Sequence, residues 1–191
     1  MAGHGVTPIP EKVQAIQQWP TPRSPRALCG FLGLVGFYRR FIQGYATLAA
    51  PLTRLLCQGQ FNWNQEATDA FQNLKNALTA APVLALPDFS APFVVETDAS
   101  GAGMGAMLMQ KGHPLAYFSK QFYPQLLNSS TYVRELAAIA AAVRKWRHYL
   151  LGHHFIILTD HRSLRELMNQ MIQMSEQHRY LARLLGYDYT I

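Results

Sequence analysis

Phe93-Val94-Val95-Glu96-Thr97-Asp98-Ala99-Ser100-Gly101-Ala102-Gly103, running on through Met104-Gly105-Ala106-Met107-Leu108-Met109, decides the fold. It reads as a buried strand ending in an acid, a tight glycine turn and a second buried strand. Phe93, Val94 and Val95 favour a packed, pleated backbone. Gly101 and Gly103 supply the positive φ and the small bulk that a close hairpin requires. Met104 to Met109 is apolar at both parities, which predicts a strand covered on both faces. Asp98 then falls in the middle of a sheet, where an unpaired carboxylate is costly to bury. That cost predicts a positive neighbour. Two later acids, Glu135 and Asp160, fall where the same sheet can bring them close, so a metal site is the leading expectation.

Working back toward the N-terminus, the chain changes character. Pro82 to Pro87 is an extended connector, with a boundary expected near Asp88, and everything before it reads as helical. Ser24-Pro25 offers a cap followed by proline at the first helical position. The helix after it carries Leu28, Phe31, Leu32 and Val35 on one side, with Gly30, Gly33 and Gly36 recurring every three residues. Glycines at that spacing mark close approach of another backbone, from a packed helix or from nucleic acid. Pro51 is expected to open a short helix (Leu52 to Leu56), and Asn64 to cap one from Gln65 to about Ala80.

Forward of the hairpin, His113 to Ser119 reads as a third strand of an antiparallel meander. Asn128 to Thr131 caps an Ala-rich helix expected to run to about Leu150, with Leu136, Ile139, Val143 and Trp146 as its buried stripe. His154 to Thr159 returns as a parallel strand closing on Asp160. Helical segments are expected around Ser163 to Met168 and Glu176 to Leu185, and a last strand over Tyr187 to Ile191.

The 191 residues suit one domain or a compact domain with a helical appendage. With 49% hydrophobic and 15% charged residues the composition is that of a globular protein. A net charge of +6 favours an anionic partner. Its distribution is sharper: between Lys12 and Glu66 there is no acid, while Arg23, Arg26, Arg39, Arg40 and Arg54 all occur. Arginine forks suit phosphate oxygens, and Phe37, Tyr38 and Phe41 interleave with them. Two cysteines are too few for a disulfide framework, and no run of about 18 apolar residues occurs. An intracellular protein, cytoplasmic or nuclear and not membrane-bound, is the expectation.

In a β-β-β-α-β order the strands ending at Asp98 and Asp160 become neighbours, and the helix bearing Glu135 lies across them. Clustered carboxylates repel and raise one another's pKa, so their gathering implies a cation. Oxygen-only donors select Mg²⁺ or Mn²⁺. In-line hydrolysis of a phosphodiester is the chemistry that fits.

These residues carry a specific resemblance. Phe31-Leu32-Gly33-Leu34, Phe37-Tyr38-Arg39-Arg40-Phe41-Ile42, Pro51-Leu52-Thr53, Ala81-Pro82-Val83-Leu84, Thr97-Asp98-Ala99-Ser100, Ala116-Tyr117-Phe118-Ser119, Lys145-Trp146-Arg147-His148-Tyr149-Leu150 and Thr159-Asp160-His161 follow one another in order. Together they resemble the C-terminal part of the reverse transcriptase of a Ty3/gypsy-type LTR retrotransposon. The resemblance implies an α/β (α+β) fold. Residues 1–88 would be a helical thumb or connection region and residues 89–191 an RNase H-like domain with a mixed five-stranded sheet. It implies a metal-dependent endonuclease cutting the RNA strand of an RNA–DNA hybrid, with Asp98, Glu135 and Asp160 as catalytic metal ligands. Mg²⁺ or Mn²⁺ would be the cofactor.

The family's fourth carboxylate belongs to a helix beyond the strand that ends this sequence, and Asp188 is no substitute for it. The two-metal site is therefore expected to be incomplete and cleavage weakened. An exposed sheet face is expected to favour self-association, or a partner such as the polymerase region or other polyprotein domains. Contacts to the hybrid are expected from Arg23, Arg26, Arg39, Arg40, Ser100, Ser119, Arg134 and His161. Two alternatives stay open: a catalytically inactive nucleic-acid-binding remnant of a retroelement polyprotein, and, remotely, a phosphate-binding fragment of an actin-like ATPase.

Overall fold

The computed structural model describes residues 5–99, 101–160 and 175–191. An N-terminal arm holds helices α1 (Pro10–Gln17), α2 (Pro25–Phe37), α3 (Tyr45–Cys57) and α4 (Gln65–Thr79), with one 3-10 turn at Arg39–Phe41. Side-chain caps set two of the starts. Ser24 Oγ accepts from Ala27 N at 3.2 Å, and Asn64 Oδ1 from Ala67 N at 2.9 Å. Each satisfies an amide that the first helical turn leaves without a partner.

Phe31, Val35, Leu52, Phe71 and Leu74 form the arm's own core, in which the Phe31 and Phe71 rings lie 4.5 Å apart. Lys75 is buried in it. Its Nζ donates to the carbonyls of Gln17 (3.0 Å) and Trp19 (2.6 Å), placing a cation at the C-terminal end of α1, and burial lowers its pKa.

Pro51 does not open a helix. It lies inside α3, which begins at Tyr45 after Gly44 at φ 66°. Tyr45 to Ala50 is a helix-favouring run, and Ala49, Leu52 and Leu55 make one buried stripe through the proline. That burial offsets the roughly 3 kcal/mol an interior proline costs.

The second unit is a five-stranded sheet: β1 (Phe93–Asp98), β2 (Gly103–Gln110), β3 (His113–Gln121), β4 (Phe155–Leu158) and β5 (Tyr189–Thr190). Its order is β3-β2-β1-β4-β5. β1 is therefore central, antiparallel to β2 and parallel to β4. The expected strand over Tyr187 to Ile191 is paired only at Tyr189–Thr190. Between β3 and β4 run a short α5 (Pro124–Leu127), α6 (Thr131–Lys145) and α7 (Arg147–Leu150). Ser130 Oγ caps α6.

The single helix expected to reach Leu150 breaks at Trp146. That ring packs edge-on against Phe118, and its backbone leaves helical geometry at φ −105° and ψ 23°. α8 (Ser175–Leu181) stops short of the expected Leu185, in a run of turns. The segment expected around Ser163 to Met168 lies outside the described residues.

β2 is not covered on both faces. Its residues alternate between buried and half-buried, because α6 covers only the face carrying Phe93, Val95, Ala106 and Leu108. The opposite face carries Glu96, Met107 and Tyr117 in register, and Tyr117 packs against the arm's core.

Three features join arm to sheet. Ser119 Oγ accepts from Ala46 N at 2.8 Å, and Gln121 Nε2 donates to Ala46 O at 3.2 Å. Gly103 leaves room for the approach: a Cβ there would sit 3.1 Å from Lys120 O and 3.4 Å from Thr47 Oγ1. Val6 pairs with Leu84, whose neighbour Ala85 donates to Pro114 O in β3. Ser119→Ala leaves the Ala46 amide without its partner and is expected to cost about 1–3 kcal/mol. Urea denaturation should show that loss, with faster amide exchange at Ala46. Unchanged stability and exchange would mean that other contacts hold the joint.

Candidate active site

The hairpin after β1 closes over the first turns of α6. Gly101 takes φ 58°, the left-handed conformation open to glycine, and the turn delivers Ala99 N to Glu135 Oε1 at 3.1 Å. Glu135 is 3% exposed, and its second oxygen, Oε2, is buried without a hydrogen-bond partner. Burial pushes its pKa up from 4.5 to about 7. The Ala99 amide and, more weakly, Arg134 oppose that rise, while Asp160 and Asp98 add to it by repulsion. Asp98 ends the central strand, and Asp160 follows the neighbouring parallel strand.

So the fold brings all three expected acids into one electrostatic neighbourhood. Among the described residues, no group of three His, Cys, Asp or Glu side chains is gathered tightly enough to hold a metal ion. The donor set nonetheless fits a hard cation: a buried carboxylate oxygen with no hydrogen-bond donor, beside two more carboxylates, is the environment such an ion relieves.

Arg134 borders the same turn, with Nη1 donating to Gly101 O (3.4 Å) and Nη2 to Thr131 Oγ1 (3.2 Å). Ser119, expected to meet a hybrid, also accepts the Ala46 amide at the joint to the arm. Ser100 and His161 lie outside the described residues.

Asp98 opens onto a cleft of ≈350 Å³ between the sheet and the start of α3, lined also by Glu96, Gln43, Gly44 and Thr47. Sequence reading passed over Glu96, although strand alternation puts residues i and i+2 on one face, so Glu96 and Asp98 share a side. Gln43, Gly44 and Thr47 carried no signal, because only the packing of arm on sheet brings them there.

In the arm, Arg23, Arg26, Arg39 and Arg40 are all exposed, and Phe37 is 76% exposed. The three glycines of α2 divide. A Cβ at Gly36 would meet Tyr45 Oη at 3.2 Å and one at Gly30 would meet Trp19 at 3.6 Å, but one at Gly33 meets nothing within 4 Å. Packing therefore accounts for Gly36 and leaves Gly33 on an open surface.

A sheet of this order with an acid at the end of its central strand defines an RNase H-like fold, and a family model described as the RNase H-like domain found in reverse transcriptase matches residues 63–157. The match begins at Trp63, just ahead of α4 and well before the boundary expected near Asp88. The chain is 41% identical over 189 residues to the Retrovirus-related Pol polyprotein from transposon 297 of Drosophila melanogaster, covering 98% of this chain and 18% of that protein. It is 38% identical over 168 residues to the Transposon Tf2-3 polyprotein of Schizosaccharomyces pombe, covering 84% of this chain and 13% of that one.

Among solved structures, the foamy viral protease-reverse transcriptase dRH in complex with double-stranded DNA superposes with a TM-score of 0.81 at 26% identity, over 95% of this chain and 34% of that one. The foamy viral protease-reverse transcriptase in complex with RNA/DNA hybrid superposes at 0.79 and 24% identity, over 95% of this chain and 26% of that one, and shows the fold alone. Residues 63–157 belong to the RNase H-like domain family of reverse transcriptase, and along most of its length the chain is similar to Ty3/gypsy-type transposon polyproteins. It spans less than a fifth of the length of the curated relatives named here. No helix among the described residues is long and apolar enough to cross a membrane.

Glu135 makes stability depend on pH with a definite sign. Its folded pKa of about 7 lies above the unfolded value, so the folded state binds more protons between pH 4.5 and 7 and stability falls as pH rises through that window. The full effect is up to about 3 kcal/mol. Glu135→Gln should flatten the melting temperature across pH 4.5 to 8 and raise it at the alkaline end. Parallel curves for parent and variant would show that Glu135 titrates normally.

Proposed function

We propose that this chain binds an RNA–DNA hybrid and hydrolyses its RNA strand, using Asp98, Glu135 and Asp160. The observation that carries the reading is Glu135 Oε2, buried, unpartnered and flanked by the charges of Asp98 and Asp160. Asp98, Glu135 and Asp160 would hold Mg²⁺ or Mn²⁺. A bound ion of this kind supplies activation of water and charge stabilisation at phosphorus. The chain's own contribution is placement. The central strand fixes Asp98, the hairpin amide at Ala99 fixes one oxygen of Glu135, and the parallel strand β4 delivers Asp160 beside them.

Arg134, tethered to the hairpin carbonyl, places a cation at the edge of the same site, suited to a phosphate of the strand being cut. The arm supplies the duplex-holding surface: Arg26, Arg39 and Arg40 are exposed, the backbone at Gly33 is open, and no acid lies between Lys12 and Glu66. The relatives' polyprotein context supports a role beside polymerase and other Pol domains.

A second reading, binding without cleavage, is favoured by one observation: no three ligating side chains among the described residues are drawn into a single centre. A hybrid with labelled RNA, incubated with Mg²⁺ or Mn²⁺, separates the two. Cleavage that Asp98→Asn and Glu135→Gln each abolish, with melting temperatures kept or raised, supports the nuclease. Binding with no cleavage under either ion leaves the remnant reading.

The arm makes its own prediction. Each phosphate contact contributes about −0.7 to −0.9 to the slope of log affinity against log salt. Arg39→Ala with Arg40→Ala should make that slope shallower by about 1.5 for hybrid binding. An unchanged slope would make the pair a packing element.

A further inference from the structure

At the end of the sheet away from Asp98, an aromatic cluster reaches the surface. Phe89 is 52% exposed and stacks on Tyr149, with ring centroids 6.2 Å apart and planes 20° from parallel. Behind them, Phe93 touches both rings and is itself buried, so the platform is anchored in the core. His148 leans on Tyr149 with centroids 4.2 Å apart, and Lys145, Arg147 and His148 are all exposed along the same stretch of chain.

From Leu136 to Thr159 there is no acidic residue. The two acids bordering the region are engaged: Asp88 with Lys111 Nζ (2.8 Å) and Ser90, Asp188 with His154 Nδ1 (2.9 Å). Lys111 and Ser90 hold the Asp88 carboxyl well below the usual carboxylate range.

This surface is separate from the carboxylate site. Phe93 and Asp98 are the two ends of β1, roughly 17 Å apart at strand spacing. Lys145 and Glu135 lie at opposite ends of α6, about 15 Å apart along its axis.

We propose that Phe89 and Tyr149, with Lys145, Arg147 and His148, form a binding surface for single-stranded nucleic acid. An outward aromatic face next to exposed basic residues, with its bordering acids already paired, matches what an unpaired strand offers, a base to stack and phosphates to neutralise. A duplex keeps its bases stacked on one another and cannot present one to Phe89.

The test uses the full chain and a short single-stranded oligonucleotide carrying 5-iodouracil. Photo-crosslinking followed by peptide mapping should place adducts on Phe89 or Tyr149. Lys145→Glu with Arg147→Glu, both exposed, should leave the fold intact by circular dichroism. The pair should weaken single-strand binding about tenfold or more and make its salt slope shallower by about 1.4. Phe89→Ala should remove the crosslink. Arg39→Ala with Arg40→Ala should weaken hybrid binding while the Phe89 or Tyr149 crosslink persists, which separates this surface from the arm. Adducts confined to the arm or the cleft, or unchanged affinity in the double charge reversal, would overturn the proposal. Equal affinity for polyglutamate would also overturn it, since that outcome requires charge alone.

Discussion

A carboxylate buried under a backbone turn is the constraint on which the rest of this structure depends. Glu135 loses almost all contact with water and receives one hydrogen bond, from the Ala99 amide, which satisfies one of its two oxygens. Burial at that price is unfavourable for any isolated acid, and two aspartates nearby make it worse. Nothing in the packing of a sheet on a helix requires it, since an apolar residue at this position of α6 would extend the stripe of Leu136, Ile139 and Val143. Under the proposed function the acid is comprehensible, because a cation would take up the oxygen that the fold leaves without a partner.

The other elements follow from holding that charge in place. The central position of β1 gives the strand that ends in Asp98 a partner on each side, an antiparallel hairpin strand and a parallel return strand. The hairpin must turn tightly to drop Ala99 N onto Glu135, and Gly101 in the left-handed region permits it. The parallel return through α6 is the topology that carries Asp160 to the same end of the sheet as Asp98. The arm then closes one side of a cleft onto which Asp98 opens, through a joint built on Ser119, Gln121 and the missing side chain of Gly103.

Much of this was legible in the residues. Caps at Ser24, Asn64 and Ser130 lie where their local chemistry put them, because a cap depends on three or four consecutive residues. The hairpin, the meander and the parallel return were readable from apolar runs and glycines. What failed was decided at long range. Pro51 sits inside α3 because the arm's core needs Ala49, Leu52 and Leu55 on one continuous stripe. The α6 helix breaks at Trp146 because its ring seats against Phe118 on β3. Met107 and Met109 read as doubly buried, yet α6 covers only one face of their strand. Ser119 and the cleft residues Gln43 to Thr47 belong to a joint between two units, and no local pattern announces such a joint.

The proposed function turns on Glu135 taking up a cation. Nuclear magnetic resonance of the glutamate side-chain carboxyl, titrated with and without Mg²⁺, tests it most directly. The account predicts a Glu135 pKa near 7 without the ion and a downward displacement when the ion is added, lost in Asp98→Asn. A Glu135 carboxyl that titrates in the ordinary carboxylate range and does not respond to Mg²⁺ would contradict it.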